Sequence, residues 1–120
     1  QYEGQTIDVV GIGEEAFEYN RALTSVTFPN SLTYIGQYAF NECASLNGVT
    51  IPEKLRKIGS AAFSHCSSLT SIVIPKNVDD IGACAFEYTG LTSVVLDARK
   101  YNSTSCLQAC AVYLLHISFR

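Results

Sequence analysis

The chain has 120 residues, with no methionine, no tryptophan, only three prolines and only 16% charged residues. A net charge of −3 provides no basic stripe for binding nucleic acid, and no apolar run approaches the length of a membrane span. Because the chain begins with Gln1 and lacks methionine, we expect a mature form or an excised piece of a longer protein. A hydrophobic content of 48% is that of one ordinary soluble domain.

The sequence also lacks the patterns that carry common catalytic chemistry. It contains no G-x-S-x-G, no phosphate-binding loop and no pair of acids at catalytic spacing. Cys106-x-x-x-Cys110 has no second pair of ligands, so we expect neither a metal site nor a cofactor. His65 directly precedes Cys66, and if Cys66 points inward the histidine points elsewhere, out of reach as a base. We therefore predict that the protein is not an enzyme.

What the sequence does contain is a repeat of 23 residues, with a single deletion before its fourth leucine. Each copy has a leucine, then Val or Ile three residues later and a large apolar residue two further on. The leucines are Leu23, Leu46, Leu69, Leu91 and Leu114. The alternation of apolar and polar residues predicts five β-strands, and Pro29, Pro52 and Pro75 end the first three.

The second half of each unit is equally regular, with Ile-Gly at 12/13, 35/36, 58/59 and 81/82 and Ala-Phe after it. A glycine fixed in every copy predicts either a positive φ or a very close backbone approach. The following segment is too short for a free helix, so we expect short turns or one helical turn. Such units bury their apolar residues only by stacking like on like, which predicts a solenoid.

The repeat predicts a single domain over residues 1–120. Its parts are a half-coil 1–22, three repeats 23–45, 46–68 and 69–90, and a degenerate last coil 91–120. In the last coil Asn102-Ser103 replaces Ile-Gly. Asn102-Ser103-Thr104 is also a glycosylation sequon, which has meaning only in a secreted eukaryotic protein.

The unit L-x-x-[VI]-x-[FI]-P-x-x-[LV]-x-x-I-G-x-x-A-F-x-x-C, in register from about Val9 to Leu96, resembles the BspA-like leucine-rich repeat. That family occurs in surface proteins of host-associated bacteria and some protozoa. The resemblance implies an α/β repeat solenoid, a right-handed superhelix with a parallel β-sheet on one face and short turns or one-turn helices on the other. It also implies a protein-binding role, often in adhesion, at the cell surface or outside the cell, but it identifies no ligand.

The predicted binding face is the outward side of the strands, which is small, mostly hydroxylic and uncharged. Its members are Ser25, Thr27, Gly48, Thr50, Ser71, Val73, Ser93, Val95, His116 and Ser118. The face has no aromatic anchors, so a merely solvated sheet of good β-formers is a competing interpretation. A structural spacer that holds another domain away from a surface is the alternative function, since repetition serves it equally well.

Five cysteines leave at least one thiol unpaired. Cys43, Cys66 and Cys110 share one position of the repeat, where parallel side chains favour free buried thiols over disulfides. Cys84 and Cys106 fall in neighbouring coils, and a disulfide between them is an alternative to two free thiols.

The last predicted strand, 111–119, is apolar and is followed only by Arg120. An open apolar strand edge invites pairing with another chain. We therefore expect either self-association through the C-terminal strand or further coils in a longer parent.

Overall fold

The computed structural model describes residues 9–96 and 116–119, and in them the chain forms a stack of parallel coils. Its strands are β1 Gly11–Ile12, β2 Ser25–Thr27, β3 Tyr34–Ile35, β4 Gly48–Thr50, β5 Lys57–Ile58, β6 Ser71–Ile74, β7 Asp80–Ile81, β8 Ser93–Leu96 and β9 His116–Phe119. Every pairing between these strands is parallel and joins equivalent positions of successive coils. The predicted repeat solenoid is confirmed.

The long strands β2, β4, β6, β8 and β9 form one side of the stack, which we call the strand face. Val26 lies opposite Val49 in β4, and Ile72 lies opposite Val94 in β8. These are the apolar positions that the repeat aligns. Hydrogen bonding divides the strand face into two sheets, of order β2-β4 and β6-β8-β9. The expectation of one sheet along this face was therefore too simple.

A second ladder, of order β1-β3-β5-β7, runs along another side of the stack. Its strands contain two residues each, and Ile12, Ile35, Ile58 and Ile81 lie in register. Sequence analysis placed only a corner of the chain here and missed this ladder. Two residues are too few to show the alternation that reveals a strand, so the sequence carried no detectable signal.

The segment after each Ile-Gly is a series of consecutive turns, and the described residues contain no helix. Its N–H groups alternate between partners. The N–H groups of Ala39 and Asn41 donate within the coil to Gly36 O and Tyr38 O, whereas that of Phe40 donates to Ala62 O of the next coil. A helix would direct all its N–H groups along its own axis and leave the carbonyl groups of the neighbouring coil without a donor. Of the two predicted alternatives, turns are correct.

These turns place non-glycine residues in the left-handed backbone region. Among the described residues, φ lies between 55° and 64° at Glu15, Tyr19, Tyr38, Glu42, Ala61, His65, Cys84 and Tyr88. They occupy the same two positions in every coil. A positive φ is costly for residues with a Cβ, so hydrogen bonds to the neighbouring coil must hold it in place.

The core is a set of columns, in which each residue packs on its equivalent in the next coil. Phe17, Phe40, Phe63 and Phe86 form the largest column, with ring centroids 5.2, 5.3 and 5.6 Å apart and interplanar angles of 11°, 3° and 2°. The last three rings are fully buried, whereas Phe17 at the start of the stack is 39% exposed. Phe28 meets Phe40 edge-on and links this column to the strand face.

The repeated glycines allow successive coils to approach closely, and they are not needed for a positive φ. A Cβ added to Gly36 would lie 2.8 Å from the backbone of Gly13 and Glu14, and one on Gly59 would lie 2.5 Å from the amide nitrogen of Gln37. Neither glycine has a φ in the left-handed region. Successive coils thus touch through bare backbone at this corner, where a side chain would push them apart.

Several predictions concern residues outside the described part of the chain. They include most of the last coil, the Asn102 sequon, and Cys106 and Cys110. The boundaries proposed for the half-coil and repeats stay predictions. On the strand face, β2 pairs with β4 and has no strand partner on its other edge among the described residues.

Replacing Gly59 by Ala should lower the free energy of unfolding by about 1–3 kcal/mol, the usual effect of overpacking. Gly13 is the matched control, because a Cβ there meets nothing within 4 Å. Gly13→Ala should be neutral or should stabilise by about 0.4–1 kcal/mol through the unfolded chain. Urea denaturation measures both, and equal destabilisation by the two variants would show that coil contact is not the reason for the glycine.

Glu15→Gly and Glu14→Gly test the cost of the left-handed residues. Both changes remove the same side chain, but only Glu15 has a positive φ, of 58°. Glycine relieves about 1–2 kcal/mol of steric cost at Glu15 alone, whereas the added freedom of the unfolded chain is common to both. Glu15→Gly should therefore be more stable than Glu14→Gly by that amount in urea titration. Equal stabilities would contradict this account.

Candidate functional site

The predicted binding residues of the strand face mostly point outward. Ser71 and Val73 are exposed, while Ile72 and Ile74 between them are buried. Ser25, Thr27 and Thr50 are also exposed, and Gly48, Ser93 and Val95 are half-buried. The backbones of His116 and Ser118 lie opposite Ser93 and Val95, but their side chains fall outside the described part.

The strand face is interrupted between β4 and β6. No ladder joins these two strands among the described residues, although β3, β5 and β7 continue the stack without a break on the other side. A shallow cleft of about 420 Å³ lies over the interruption, and we call it the β4–β6 cleft. It is lined by Val49, Thr50, Ile51, Glu53, Ser71, Ile72, Val73, Pro75, Ser93 and Val95.

The β4–β6 cleft combines an apolar floor with a polar rim. Val73, 44% exposed, lies in register beside Val95, so two valine side chains form a small apolar surface. Thr50, Ser71 and Ser93 add hydroxyl groups. Glu53 is exposed, and its carboxylate has no ion-pair partner among the residues that the structure describes. Sequence analysis missed Glu53, because it lies beyond Pro52, outside the alternating pattern.

A second concavity follows the short ladder, and we call it the glycine groove. Its volume is about 480 Å³, and it is lined by Gly13, Glu14, Tyr34, Ile35, Gly36, Gln37, Lys57, Gly59, Ser60, Asp80 and Gly82. Residues of four successive coils thus contribute. Sequence analysis did not find it, because the ladder that brings Tyr34, Lys57 and Asp80 into one row was itself missed.

A polar cluster lies on the turn segments. Nδ1 of His65 lies 2.8 Å from Oγ of Ser64 and 3.6 Å from Oε2 of Glu42, whose Oε1 pairs with Arg21 at 3.1 Å. The ring of Tyr88 lies 4.7 Å from that of His65, between centroids. A catalytic histidine contacts its nucleophile and its acid through different ring nitrogens. In this cluster the Ser64 hydroxyl and the Glu42 carboxylate both lie near Nδ1 of His65, and Ser64 is buried. The cluster is therefore not an activated nucleophile.

The cysteine side chains are held in unreactive settings. Cys43 and Cys66 are fully buried free thiols, and their Sγ atoms donate to Phe17 O and Phe40 O, each at 3.2 Å. Burial raises the pKa of both thiols, that of Cys66 to about 12. The reactive thiolate is therefore scarce. The prediction of free buried thiols is confirmed for this pair.

Cys84 is a half-buried free thiol, and its hypothetical partner Cys106 lies outside the described part. In residues 9–96 and 116–119, no group of three or more metal-ligating side chains comes together. The same residues include no helix long and apolar enough to cross a membrane.

Similarity to known proteins follows the repeat along nearly the whole chain. A family model described as the BspA type leucine rich repeat region, with six copies, matches residues 6–116. The chain belongs to the BspA-type leucine-rich repeat family. Solenoid repeats of this kind generally serve as protein-interaction modules. No curated protein sequence matches the chain.

Solved structures of bacterial leucine-rich repeat proteins share the fold. A leucine-rich repeat protein from Bacteroides ovatus is 29% identical with a TM-score of 0.79, over 99% of this chain and 31% of that one. A second, from Bacteroides capillosus, is 38% identical with a TM-score of 0.67, over 74% and 64%. The pneumococcal vaccine antigen PcpA, 21% identical with a TM-score of 0.67, covers 74% of this chain and 24% of its own and shows the fold alone.

This BspA-type chain spans 31% of the first of these neighbours and 64% of the second. The activities and partners of such longer proteins therefore do not transfer to it directly.

Thiol labelling should rank the cysteines by burial. In the native protein at pH 8, iodoacetamide should modify half-buried Cys84 well before Cys43 or Cys66, with Cys66 slowest. The reason is that only the thiolate reacts, and burial both raises the pKa of Cys66 and blocks the reagent. Peptide mass spectrometry after timed quenching gives the order, with urea-unfolded protein as the control of equal reactivity. Native labelling of Cys66 as fast as Cys84 would contradict the packing described.

Proposed function

We propose that the chain is a non-catalytic protein-binding module of a cell-surface or secreted protein, serving adhesion or host-protein interaction. We place the centre of its binding site at the β4–β6 cleft. One observation carries the proposal. Five outward residues chosen from the repeat pattern, Thr50, Ser71, Val73, Ser93 and Val95, line the same cleft.

The chemistry of the cleft favours a protein side chain as its occupant. Exposed Val73 and half-buried Val95 offer apolar contact, which is worth about 25 cal/mol per Å² of buried apolar surface. Hydroxyl groups of Thr50, Ser71 and Ser93 donate to and accept from a partner backbone. The Glu53 carboxylate at the rim, which has no ion-pair partner in residues 9–96 and 116–119, favours a Lys or Arg beside the apolar residue. The expected ligand segment is thus apolar with a neighbouring cation.

The family supports the proposed cell-surface or secreted location. Repeats of this type are expected in surface proteins of host-associated bacteria, and PcpA, which shares the fold, is a pneumococcal vaccine antigen. Self-association through the C-terminal strand stays a prediction. A structural spacer without a ligand is the alternative function.

A phage-displayed library of random peptides, selected on the immobilised protein, tests the site. Enriched peptides should carry an apolar residue next to Lys or Arg, and Val73→Arg should weaken their binding at least about tenfold, because it fills the cleft and adds like charge. Ala83→Arg, an exposed change in a turn segment, should leave binding unchanged. Circular dichroism checks that both variants fold.

Two outcomes would count against the proposal. Peptides that bind wild type and Val73→Arg equally would place the site elsewhere. Failure of any peptide to enrich would favour the spacer.

A further inference from the structure

We propose that the glycine groove binds a neutral oligosaccharide of about three sugar residues, independently of the protein site on the strand face. The groove volume of about 480 Å³ lies within the usual range of ligand clefts, about 300–1,000 Å³. Its floor crosses four coils at Gly13, Gly36, Gly59 and Gly82. Neighbouring strands stand about 4.8 Å apart, a spacing close to the length of one pyranose along an extended chain.

Tyr34 supplies a flat aromatic surface at one end of the groove. A Cβ added to Gly11 would overlap Cε1, Cζ and Cε2 of the Tyr34 ring, which places it over the face of the ring and not beside its edge. One ring face therefore rests on the Gly11 backbone. The residue is still 44% exposed, so part of the ring remains accessible to a ligand. An accessible aromatic ring with a fixed support suits contact with the C–H groups of a sugar ring.

The rest of the groove offers hydrogen-bonding groups instead of apolar walls. Lys57, Asp80, Gln37 and Ser60 contribute ammonium, carboxylate, amide and hydroxyl groups. The backbone N–H groups of Glu14, Gln37 and Ser60 donate to no acceptor among the described residues. Dense donors and acceptors around one ring platform match a ligand rich in hydroxyl groups.

The charges of the groove disfavour an anionic ligand. Lys57 Nζ lies 3.9 Å from Asp80 Oδ2, so these two charges largely offset each other. Glu14 adds one further negative charge. Uronate or sulfated sugars would meet this excess negative charge, which favours a neutral sugar over an anionic one.

Titration of ¹⁵N-labelled protein with neutral trisaccharides, namely chitotriose, cellotriose and maltotriose, tests the proposal. At least one should shift the amide signals of Gly36, Gly59 and Gly82 saturably, with signals of the strand face unchanged. Tyr34→Ala should weaken that binding about tenfold, which corresponds to about 1.4 kcal/mol, whereas Tyr34→Phe should retain it within about twofold. Tyr19→Ala, an exposed tyrosine outside the groove, is the matched control and should have no effect.

Gly11→Val provides a second variant, which leaves the identity of every residue that lines the groove unchanged. The added side chain displaces the Tyr34 ring from its support, so binding should fall as in Tyr34→Ala. Three results would overturn the proposal: no shift with any of the trisaccharides at 20 mM, shifts that Tyr34→Ala leaves intact, or binding confined to a sulfated trisaccharide. None of these results tests the peptide site, because the amide signals of the strand face report on that site separately.

Discussion

Backbone hydrogen bonds between successive coils are the interaction on which the rest of this structure depends. In the strands they form parallel ladders, and in the turns every second N–H group donates to a carbonyl of the next coil. Because a buried unpaired backbone group is costly, each coil is held in one register against its neighbour. Residues 23 positions apart are thereby stacked, and a repeat in sequence becomes a column in space.

The columns explain which variation the fold tolerates. Inside the stack, each phenylalanine ring stacks on the equivalent ring of the next coil, and each of these glycines must lie against the backbone of the preceding coil. The Phe and Gly positions therefore recur without change from Gly36 to Gly82. The coil before Leu91 is one residue shorter, and it closes differently. Thr89 Oγ1 donates to Phe86 O at 3.0 Å and accepts from the N–H of Leu91 at 3.3 Å. Gly90 lies so close to Ser67 O that an added Cβ would overlap it, so the shortened turn still contacts the preceding coil.

Outside the core, ion pairs between successive coils contribute little to stability, but they influence the charge of the surface. Arg56 pairs with Asp79 at 2.7 Å and Lys57 with Asp80 at 3.9 Å, each across one coil. Such exposed pairs contribute about 0–1 kcal/mol, too little to set the register that the backbone already fixes. The ion pairs instead affect the local charge and polarity of the surface. The strand face stays almost uncharged around Val73, whereas the glycine groove is polar and nearly neutral. One scaffold therefore presents two surfaces of different kinds.

The sequence alone determined the repeat, the register of the long strands, the buried columns and the inward position of Cys43 and Cys66, because each depends on a residue type recurring at a fixed interval. It also identified the outward residues of the strand face, since period-2 alternation was long enough there to read. Only the tertiary structure decided between turns and helical turns, because that choice depends on hydrogen bonds to a neighbouring coil. The short ladder, the interruption between β4 and β6, and the position of the Tyr34 ring on Gly11 were likewise decided by contacts between residues 23 or more positions apart. No local pattern encodes such contacts, because they exist only once the coils are stacked.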